Sequence, residues 1–163
     1  MKIRKLTNEE IKGACAFAVS IYNIAIRGCV RTQEFHRYFD EYMDADRLTE
    51  EEKTGALVVF GAFDSNVLCG VCGMTNEGHI TMLYVHPQYL RRGTGKKLLE
   101  RARIYARMQL KRMQVSVNAM PAYTADYFRR VGFKSTYQGG FCNGQSDMYV
   151  PMTAKSIYQI EYT

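Results

Sequence analysis

The sequence predicts a single domain of the mixed α/β (α+β) class, spanning residues 1–163. A chain of this length can bury one substantial hydrophobic core. In the helical segments apolar residues recur at intervals of three and four, and short β-rich runs bounded by turn residues lie between them. These patterns give the element order β-α-α-β-β-β-α-β-α-β-β, with no internal repeat and no linker that would divide the chain.

The N-terminal third is predicted to hold one strand followed by helices. Residues 1–6 alternate as a strand does. Thr7 and Glu10 have the spacing of a capping box, which opens a helix. Helices are predicted over residues 7–26, 32–43 and 49–53. The first helix is expected to bury one face through its regularly spaced apolar positions, Ile11, Ala14, Phe17, Ala18, Ile21, Ile24 and Ala25.

Strands dominate the middle of the chain. The strand pair 57–63 and 67–74 is joined by Asp64-Ser65-Asn66, which is a hairpin signal, and residues 76–78 turn into strand 80–85. The next helix, over residues 93–110, has a core stripe of Leu98, Leu99, Ala102, Ala106 and Leu110. The last elements are predicted as a strand over 113–117, a helix over 122–131 and strands near 133–137 and 148–152.

A basic glycine loop between strand 80–85 and the following helix carries the strongest functional signal. The first N–H groups of a helix have no internal partner, and its dipole favours negative charge there. Gly93 and Gly95 let a backbone approach a pyrophosphate closely. Cationic donors surround the same turn: Arg91, Arg92, Lys96 and Lys97. The loop therefore predicts a phosphate-bearing cofactor at residues 93–96. It fits neither a P-loop nor a dinucleotide fingerprint, because no Ser or Thr follows the lysine and position 98 is Leu.

Residues 90–95, with the sequence LRRGTG, resemble the cofactor loop [Q/R]-x-x-G-x-[G/A] of the GNAT family of N-acetyltransferases. The preceding LYVHP at residues 83–87 resembles the L-x-V-x-P that ends the fourth strand of that family. Further along, Asn118 and the segment 127–133 are similar to the family's N-x-x-x…[F/Y]-Y-x-x-x-G-F pattern. The resemblance covers roughly residues 54–150. It departs from the pattern at Leu90 and Phe128, where polar side chains are usual.

This resemblance implies a mostly antiparallel central sheet of 6–7 strands flanked by helices, with strands 4 and 5 splayed apart. It also implies direct transfer of an acetyl group from acetyl-CoA, the acyl-donor cosubstrate, to a primary amine of a small molecule or peptide. Backbone groups of strand 4 would contact the pantetheine arm. The residues implied in binding acetyl-CoA are Leu83, Tyr84, Val85, Arg91, Arg92, Gly93, Thr94, Gly95, Lys96, Asn118 and Tyr127.

The resemblance implies a tyrosine as general acid, but its position is open between alternatives. Counting back from Gly132 places the usual tyrosine on Phe128, which has no hydroxyl, whereas counting forward from Asn118 reaches Tyr127. Tyr123 lies four residues before Tyr127 and can face the same side of a helix. Protonation of the leaving thiolate by solvent is the third alternative.

The resemblance implies a general base on or beside strand 4, where Glu77 and His79 lie, and Asp126 is a further alternative. His79 is the named candidate, because an imidazole with a pKa near ~6.5 can take a proton directly or through water. By strand alternation His79 and Thr81 are expected on one face, opposite Ile80 and Met82. A polar strand-end residue that only faces solvent is an equally good interpretation of His79. For the acceptor, the family's usual pocket lies under the first two helices, and the candidate contacts there are Tyr22, Glu34 and Tyr38.

The formal net charge of +6 raises the question of nucleic-acid binding. Nine Lys and Arg side chains lie between residues 91 and 112, against one acid, Glu100. Coenzyme A carries a pyrophosphate and a 3′-phosphate, so a basic loop and first helical turn suit it. Arg103, Arg107 and Arg112 lie too far along for that and are expected on a solvated face. No nucleic-acid motif accompanies the charge, so no nucleic-acid partner is predicted.

Five cysteines in a chain without a secretory signal indicate a reducing compartment and free thiols, so a cytoplasmic location is expected. Cys69 and Cys72 lie in a probable strand and are expected to be core residues on opposite faces. The histidines have no metal-ligand spacing, so no metal is predicted. No stretch approaches the ~20 apolar residues of a membrane span, so no membrane partner is expected. A homodimer is possible from family habit.

A second function class stays open beside the enzyme. A non-catalytic module that binds acyl-CoA as a sensor or scaffold would tolerate the departures at Leu90 and Phe128, since neither position then needs its polar group.

Overall fold

The structure is a computed structural model that describes residues 1–31, 33–112, 114–119, 124–135 and 150–154. Short 3₁₀ turns at Asn8–Glu10 and Pro87–Tyr89 precede two of the helices. In chain order the elements are β1 (Lys2–Lys5), α1 (Ile11–Ala25), α2 (Gln33–Tyr42), α3 (Ala45–Thr54), β2 (Leu57–Asp64), β3 (Val67–Thr75), β4 (His79–Val85), α4 (Thr94–Met108), β5 (Ser116–Ala119), α5 (Ala125–Arg130), β6 (Phe133–Ser135) and β7 (Val150–Ala154).

The strands form one mixed sheet in the order β1-β2-β3-β4-β5-β7-β6. Strands β1 to β5 follow one another in chain order. Strand β7 lies next to β5, and β6 forms the edge of the sheet beyond it. Neighbouring strands are antiparallel except β4 and β5, which run parallel. The predicted fold class, a mixed α/β fold with one sheet flanked by helices, is confirmed.

Strands β4 and β5 part soon after they meet. They are in register at only two pairs, His79 with Ser116 and Ile80 with Val117. Beyond Ile80, β4 pairs with β3 alone within the described residues. The sheet therefore opens between β4 and β5, and the edge of β4 that faces this gap keeps backbone groups available for a ligand.

A β-bulge at Thr81 lies beside this opening. The register between β3 and β4 passes from Gly73–Met82 directly to Met74–Ile80, so Thr81 has no partner in the ladder. Because a bulge re-aims the side chains that follow it, Ile80 and Met82 pack into different core clusters. The predicted alternation, with Ile80 and Met82 on one face, is therefore wrong.

Two apolar layers cover the sheet. One lies between the sheet and helices α4 and α5, and includes the predicted stripe Leu98, Leu99, Ala102 and Ala106. The other lies between the sheet and α1, α2 and α3, around Ile11, Ala14, Ala18, Tyr22, Phe39 and Leu48. The expected burial of Ile24 is wrong, because the side chain is 69% exposed near the end of α1. Among the helices of the described residues, none combines the length and hydropathy that crossing a bilayer requires.

Capping residues set the ends of the first helices. The Thr7 N–H donates to the Glu10 carboxylate at 2.9 Å, which confirms the capping pair, and α1 follows the 3₁₀ turn between them. Arg4 binds the same carboxylate through both guanidinium nitrogens, at 2.7 and 2.8 Å. The Arg4 guanidinium, with the Thr7 amide, lowers the pKa of Glu10 to about 2. The predicted helix 49–53 is longer, from Ala45 to Thr54, because Asp44 caps its start and Gly55 (φ 81°) ends it.

Arg103 corrects the expectation of a solvated α4 face. Its side chain is buried, its guanidinium donates to the Val131 carbonyl at 2.9 Å, and it lies 4.7 Å from the centre of the Phe133 ring. Arg103 therefore joins α4 to the segment between α5 and β6.

Cys69 and Cys72 are buried and free, as predicted for core cysteines. Their expected placement on opposite faces is wrong, since both belong to the core layer beneath α4. The reason is a second bulge, where the register passes from Ala62–Gly70 to Phe63–Leu68 and leaves Cys69 without a partner in the ladder.

Candidate active site

The start of α4 presents free backbone amides at the end of β4. Gly93 is the N-cap with φ 78°, and Arg91 also has a positive φ of 60°, so the loop turns sharply into the helix. The first bond of the helix runs from the Lys97 N–H to the Gly93 carbonyl at 3.0 Å. The amides of Thr94, Gly95 and Lys96 precede it and have no acceptor among the described residues, so they can bind an anion.

The Thr94 side chain holds this loop in place. It is buried, and its hydroxyl donates to the Tyr89 carbonyl at 3.2 Å. Thr94 can therefore contact a ligand through its backbone amide but not through its side chain. The Tyr89 hydroxyl donates to Asp64 at 3.0 Å, and the Arg92 guanidinium lies 5.6 Å from the Tyr89 ring centre. These contacts position the loop on the end of the hairpin between β2 and β3.

Exposed cations surround the amides. Arg91, Arg92, Lys96 and Lys97 are all exposed. Among the described residues, the carboxylate within 4.0 Å of any of them is that of Glu100, beside the Lys96 ammonium. Since the helix dipole adds positive potential at the same point, the turn suits a ligand with several phosphate charges.

Tyr127, on α5, brings a phenol against this turn. Its hydroxyl lies 2.5 Å from the point where a Cβ on residue 95 would be, a separation that only glycine permits. The Tyr127 hydroxyl is buried and has no hydrogen-bond partner among the described residues. Burial raises the pKa of Tyr127 to about 12, with a further rise from Cys72. The phenol is therefore protonated, and its O–H can donate a hydrogen bond to a ligand.

A cleft of about 180 Å³ opens where β4 and β5 part. Its floor is the length of β4 from His79 to Tyr84, and Val117, Thr124 and Phe128 close one side. Ile26 and the aromatic residues of α2 cover the other side. The cleft reaches side chains of both core layers because it passes through the gap in the sheet.

His79 lies at one end of the cleft as a neutral imidazole. Its Nδ1 is 2.8 Å from the Ser116 hydroxyl, and its Nε2 has no hydrogen-bond partner within the described part of the chain. Burial lowers the pKa of His79, and the nearby Glu77 opposes this only in part. A neutral imidazole with an open nitrogen can accept a proton at neutral pH.

Two more hydroxyls in the cleft make no well-formed hydrogen bond within the described residues. Thr81 Oγ1, on the bulge, and Tyr42 Oη, on α2, are buried without a hydrogen bond of acceptable geometry among the described residues. They lie near each other, since Thr81 lowers the pKa of Tyr42 while burial raises it more strongly. Both groups are available to a polar atom in the cleft.

Comparison with known proteins now identifies the fold. A family model of the acetyltransferase (GNAT) domain matches residues 17–156. The chain belongs to the GNAT family. A GCN5-related N-acetyltransferase from Rhodopseudomonas palustris superposes with a TM-score of 0.74 at 21% identity over 94% of each chain. PaiA N-acetyltransferase from Thermoplasma acidophilum, solved with coenzyme A, gives 0.74 at 18%, covering 94% of this chain and 98% of that one.

A variant of spermidine N-acetyltransferase SpeG from Vibrio cholerae gives a TM-score of 0.62 at 15% identity over 95% of each chain. A search of curated proteins returned no match. At these identities the structural likenesses concern the fold. The GNAT membership that the sequence motifs predict is confirmed by the family match.

Some of the predicted GNAT site residues meet at the gap in the sheet. Residues 83–85 form the end of β4, next to the free amides of α4. Tyr127 approaches the same turn, whereas Phe128, the other candidate position, is buried and lines the cleft. Tyr123 lies outside the described residues. Asn118 belongs to β5, where its backbone pairs with Pro151.

Two predicted acceptor contacts are corrected. Tyr22 is fully buried, stacks on Phe39 with 3.6 Å between ring centres, and bonds to His36, so it is a core residue. Glu34 is exposed, and lies outside the cleft in a shallow depression with Arg37. Tyr38 does line the cleft and is 56% exposed.

Sequence reasoning missed Phe35, Phe39 and Tyr42, which line the cleft with Tyr38. A signal for them was present, because these four aromatic residues follow the i, i+3, i+4, i+7 spacing of one helix face. Thr81 was also missed as a site residue, since nothing in its strand pattern indicates a bulge.

Proposed function

We propose that the protein is an N-acetyltransferase that moves the acetyl group of acetyl-CoA directly to a primary amine of a small molecule or peptide. The observation that carries this proposal is the meeting of two unsatisfied donor sets at one turn. The amides of Thr94, Gly95 and Lys96 and the Tyr127 hydroxyl converge there, and none of them has a hydrogen-bond partner in the part of the chain that the structure describes. The complex of PaiA with coenzyme A supports the choice of cofactor.

The residues present fit acetyl-CoA. Phosphates would bind the amides at the start of α4, with Arg91, Arg92 and Lys96 as cationic donors. Acetyl-CoA supplies the acetyl group as a thioester. The backbone of Leu83 and Val85, on the edge of β4 that faces the gap, is available to bond the pantetheine arm and to polarise a carbonyl oxygen.

His79 is proposed as the general base. Its neutral imidazole has one nitrogen fixed by Ser116 and the other open within the described residues. An acceptor ammonium must lose a proton before its nitrogen can attack, and His79 Nε2 can accept that proton directly or through water.

Tyr127 is proposed as the donor to the leaving sulfur. A phenol with a pKa of about 12 lies above an ordinary thiol, at about 8.5, by about 3.5 units, which corresponds to about 5 kcal/mol. Complete proton transfer to the sulfur is therefore uphill. The phenol instead stabilises the developing negative charge by a hydrogen bond, and solvent completes the protonation.

The first test is binding of acetyl-CoA to the protein. At a hundred times its dissociation constant the ligand should add about 2.7 kcal/mol of stability, or about 5–10 °C in melting temperature for a domain of this size. The double substitution Arg91→Ala and Arg92→Ala should weaken binding, whereas Lys53→Ala, an exposed lysine on α3, should not. NAD should give no shift.

Release of coenzyme A is then followed by chromatography with a panel of amines, because the exposed Cys29 would react with thiol reagents. Binding without turnover for every amine would favour the alternative, a non-catalytic acyl-CoA sensor or scaffold. The specific feature behind that alternative is Leu90, which is 54% exposed at the first motif position. The Tyr127 hydroxyl beside Gly95 speaks against it, since a scaffold has no use for an unpartnered phenol.

We further propose a cytoplasmic location and leave a homodimer as a possibility to be tested. The buried free thiols of Cys15, Cys69 and Cys72 are compatible with a reducing compartment. Sedimentation at several protein concentrations would decide the oligomeric state.

A further inference from the structure

The α2 side of the cleft is an aromatic wall, formed by Phe35, Tyr38, Phe39 and Tyr42. The Tyr38 and Tyr42 rings are nearly parallel, with 6.3 Å between centres and 12° between planes. Tyr84, on β4, meets Phe39 edge to face at 6.0 Å. A wall of this kind offers ring faces and edges to a flat apolar ligand.

The described lining of the cleft contains no carboxylate. The acids of α2 lie elsewhere: Asp40 pairs with Arg27 at 2.5 Å, and Glu34 faces Arg37 at 4.0 Å. Glu41 lies with them in the depression outside the cleft. The charged pair that reaches Tyr42 is Arg47 with Glu51, and these two neutralise each other. The segments outside the described residues contain only two acidic residues in the sequence, Asp147 and Glu161. Glu77 acts on His79 from outside the described lining and is a single charge. A polycation would thus find little charge to replace its water.

The polar groups that the cleft does offer are neutral and close to the reacting strand. The Thr81 and Tyr42 hydroxyls are neighbours, and neither makes a well-formed hydrogen bond within the described residues. Thr81 lies on β4 between His79, the proposed base, and Leu83. Two neutral hydroxyls can orient one amino group by accepting from its N–H bonds. They suit one amino group, whose proton His79 takes, better than a chain of ammonium groups.

From these observations we propose that the acceptor is a small primary monoamine with an aromatic body, rather than a polyamine or an aminoglycoside. The aromatic ring lies against the α2 wall, and the amino group lies at Thr81 and Tyr42, beside His79. The volume of about 180 Å³ is below the ~300–1,000 Å³ of sites for larger ligands. This inference rests on the proposed acetyltransferase function and deepens it.

The test compares kcat/KM for 2-phenylethylamine and for spermidine with the purified protein and acetyl-CoA. The expected result is a preference of about tenfold or more for the aryl amine, from ring contacts with the wall. 2-Cyclohexylethylamine, of the same length but without a π-system, should fall between the two. Raising the salt concentration should leave KM for the aryl amine unchanged, because no ion pair binds it.

Variants locate the effect in the cleft. Tyr38→Ala should lower kcat/KM for 2-phenylethylamine about tenfold while the KM for acetyl-CoA stays the same. Tyr38→Phe should lower kcat/KM less than Tyr38→Ala does, since the ring is what contacts the ligand. Tyr38 is largely exposed, so both variants should fold. Thr81→Val, which keeps the side-chain shape, should raise the KM for the amine.

Each outcome separates the two proposals. Acetylation of spermidine in preference to the aryl amine would overturn this inference and leave the acetyltransferase function standing. Acetyl-CoA binding without acetylation of any aryl amine would also overturn it. Loss of both acetyl-CoA binding and turnover would instead defeat the proposed function itself.

Discussion

Tyr127→Phe should make the free protein more stable and the enzyme slower. The wild-type hydroxyl is buried without a partner among the described residues, and an unsatisfied buried hydroxyl costs about 1–3 kcal/mol. Removing it without changing the ring should recover about 1 kcal/mol of this, which raises the melting temperature by about 2–4 °C for a domain of this size.

The same substitution removes the proposed donor to the leaving sulfur. A hydrogen bond to a charged group contributes about 1.5–3 kcal/mol, so kcat should fall about 10- to 150-fold. The KM for acetyl-CoA should change little, because the bond strengthens only as charge develops on the sulfur. Opposite signs for stability and turnover distinguish a functional hydroxyl from a structural one.

The assays are thermal unfolding of the free protein and initial rates of coenzyme A release. Tyr105→Phe is the matched control, since Tyr105 lies on α4 eleven residues beyond Thr94, which is about 16 Å along the helix axis. It should change kcat by less than about twofold. A Tyr127→Phe protein that melts lower and turns over normally would refute the reasoning, because its hydroxyl would then have a structural partner.

Three other predictions follow from single contacts. Gly95→Ala should lower kcat, because its Cβ would displace the Tyr127 hydroxyl. In a Tyr127→Phe background the same substitution should have no further effect on kcat. The control is Gly13→Ala, at a position in open space on α1, which should stabilise the protein without changing kcat. In wild type, kcat/KM should fall as pH drops through the lowered pKa of His79. His79→Gln should lower kcat/KM about 10²-fold and should also lose this fall at low pH. A wild-type profile that stays flat below pH 7 would contradict the assignment. Glu10→Gln should cost about 1 kcal/mol at pH 7 after screening at this half-exposed pair. The folded-state pKa of Glu10, about 2, lies below the ordinary 4.5, so this stability is present above pH 4.5 and is lost as pH falls toward 2; denaturant unfolding of both proteins at pH 7 and at pH 2 should show the difference vanish at the lower pH.

The sequence predicts the local features that local chemistry determines. The glycine loop at residues 93–95 is predicted because glycines and cations at a helix N-terminus favour an anion, and the amides at the start of α4 have no acceptor among the described residues. Cofactor binding there stays a prediction. The Thr7 and Glu10 pair was predicted from spacing alone and is present. Helix boundaries are predicted less accurately. Helix α3 begins at Ala45, not at residue 49, because Asp44 caps it, and its few apolar residues gave too short a pattern to indicate that start.

The errors arise where tertiary pairing overrides a local period. Strand alternation predicts that Cys69 and Cys72 lie on opposite faces and that Ile80 and Met82 lie on the same face. A one-residue register shift in each strand pair makes both predictions wrong. A bulge depends on the length match between two strands, and neither strand encodes that alone. Arg103 was misplaced for a similar reason, since its acceptor, the Val131 carbonyl, is 28 residues away in the chain.

The bulge at Thr81 also explains why the site lies where it does. Without it, β4 would continue in strict alternation, and the residues after Ile80 would face the opposite layers from those they contact now. With it, Met82 and Tyr84 pack toward α1 and α2, while Leu83 and Val85 pack toward α4. The bulge thereby directs the Met82 and Tyr84 side chains toward the aromatic wall, at the point where β4 and β5 stop pairing. The irregularity at Thr81 is therefore the position that joins the turn at the start of α4, the proposed cofactor site, to the cleft, the proposed acceptor site.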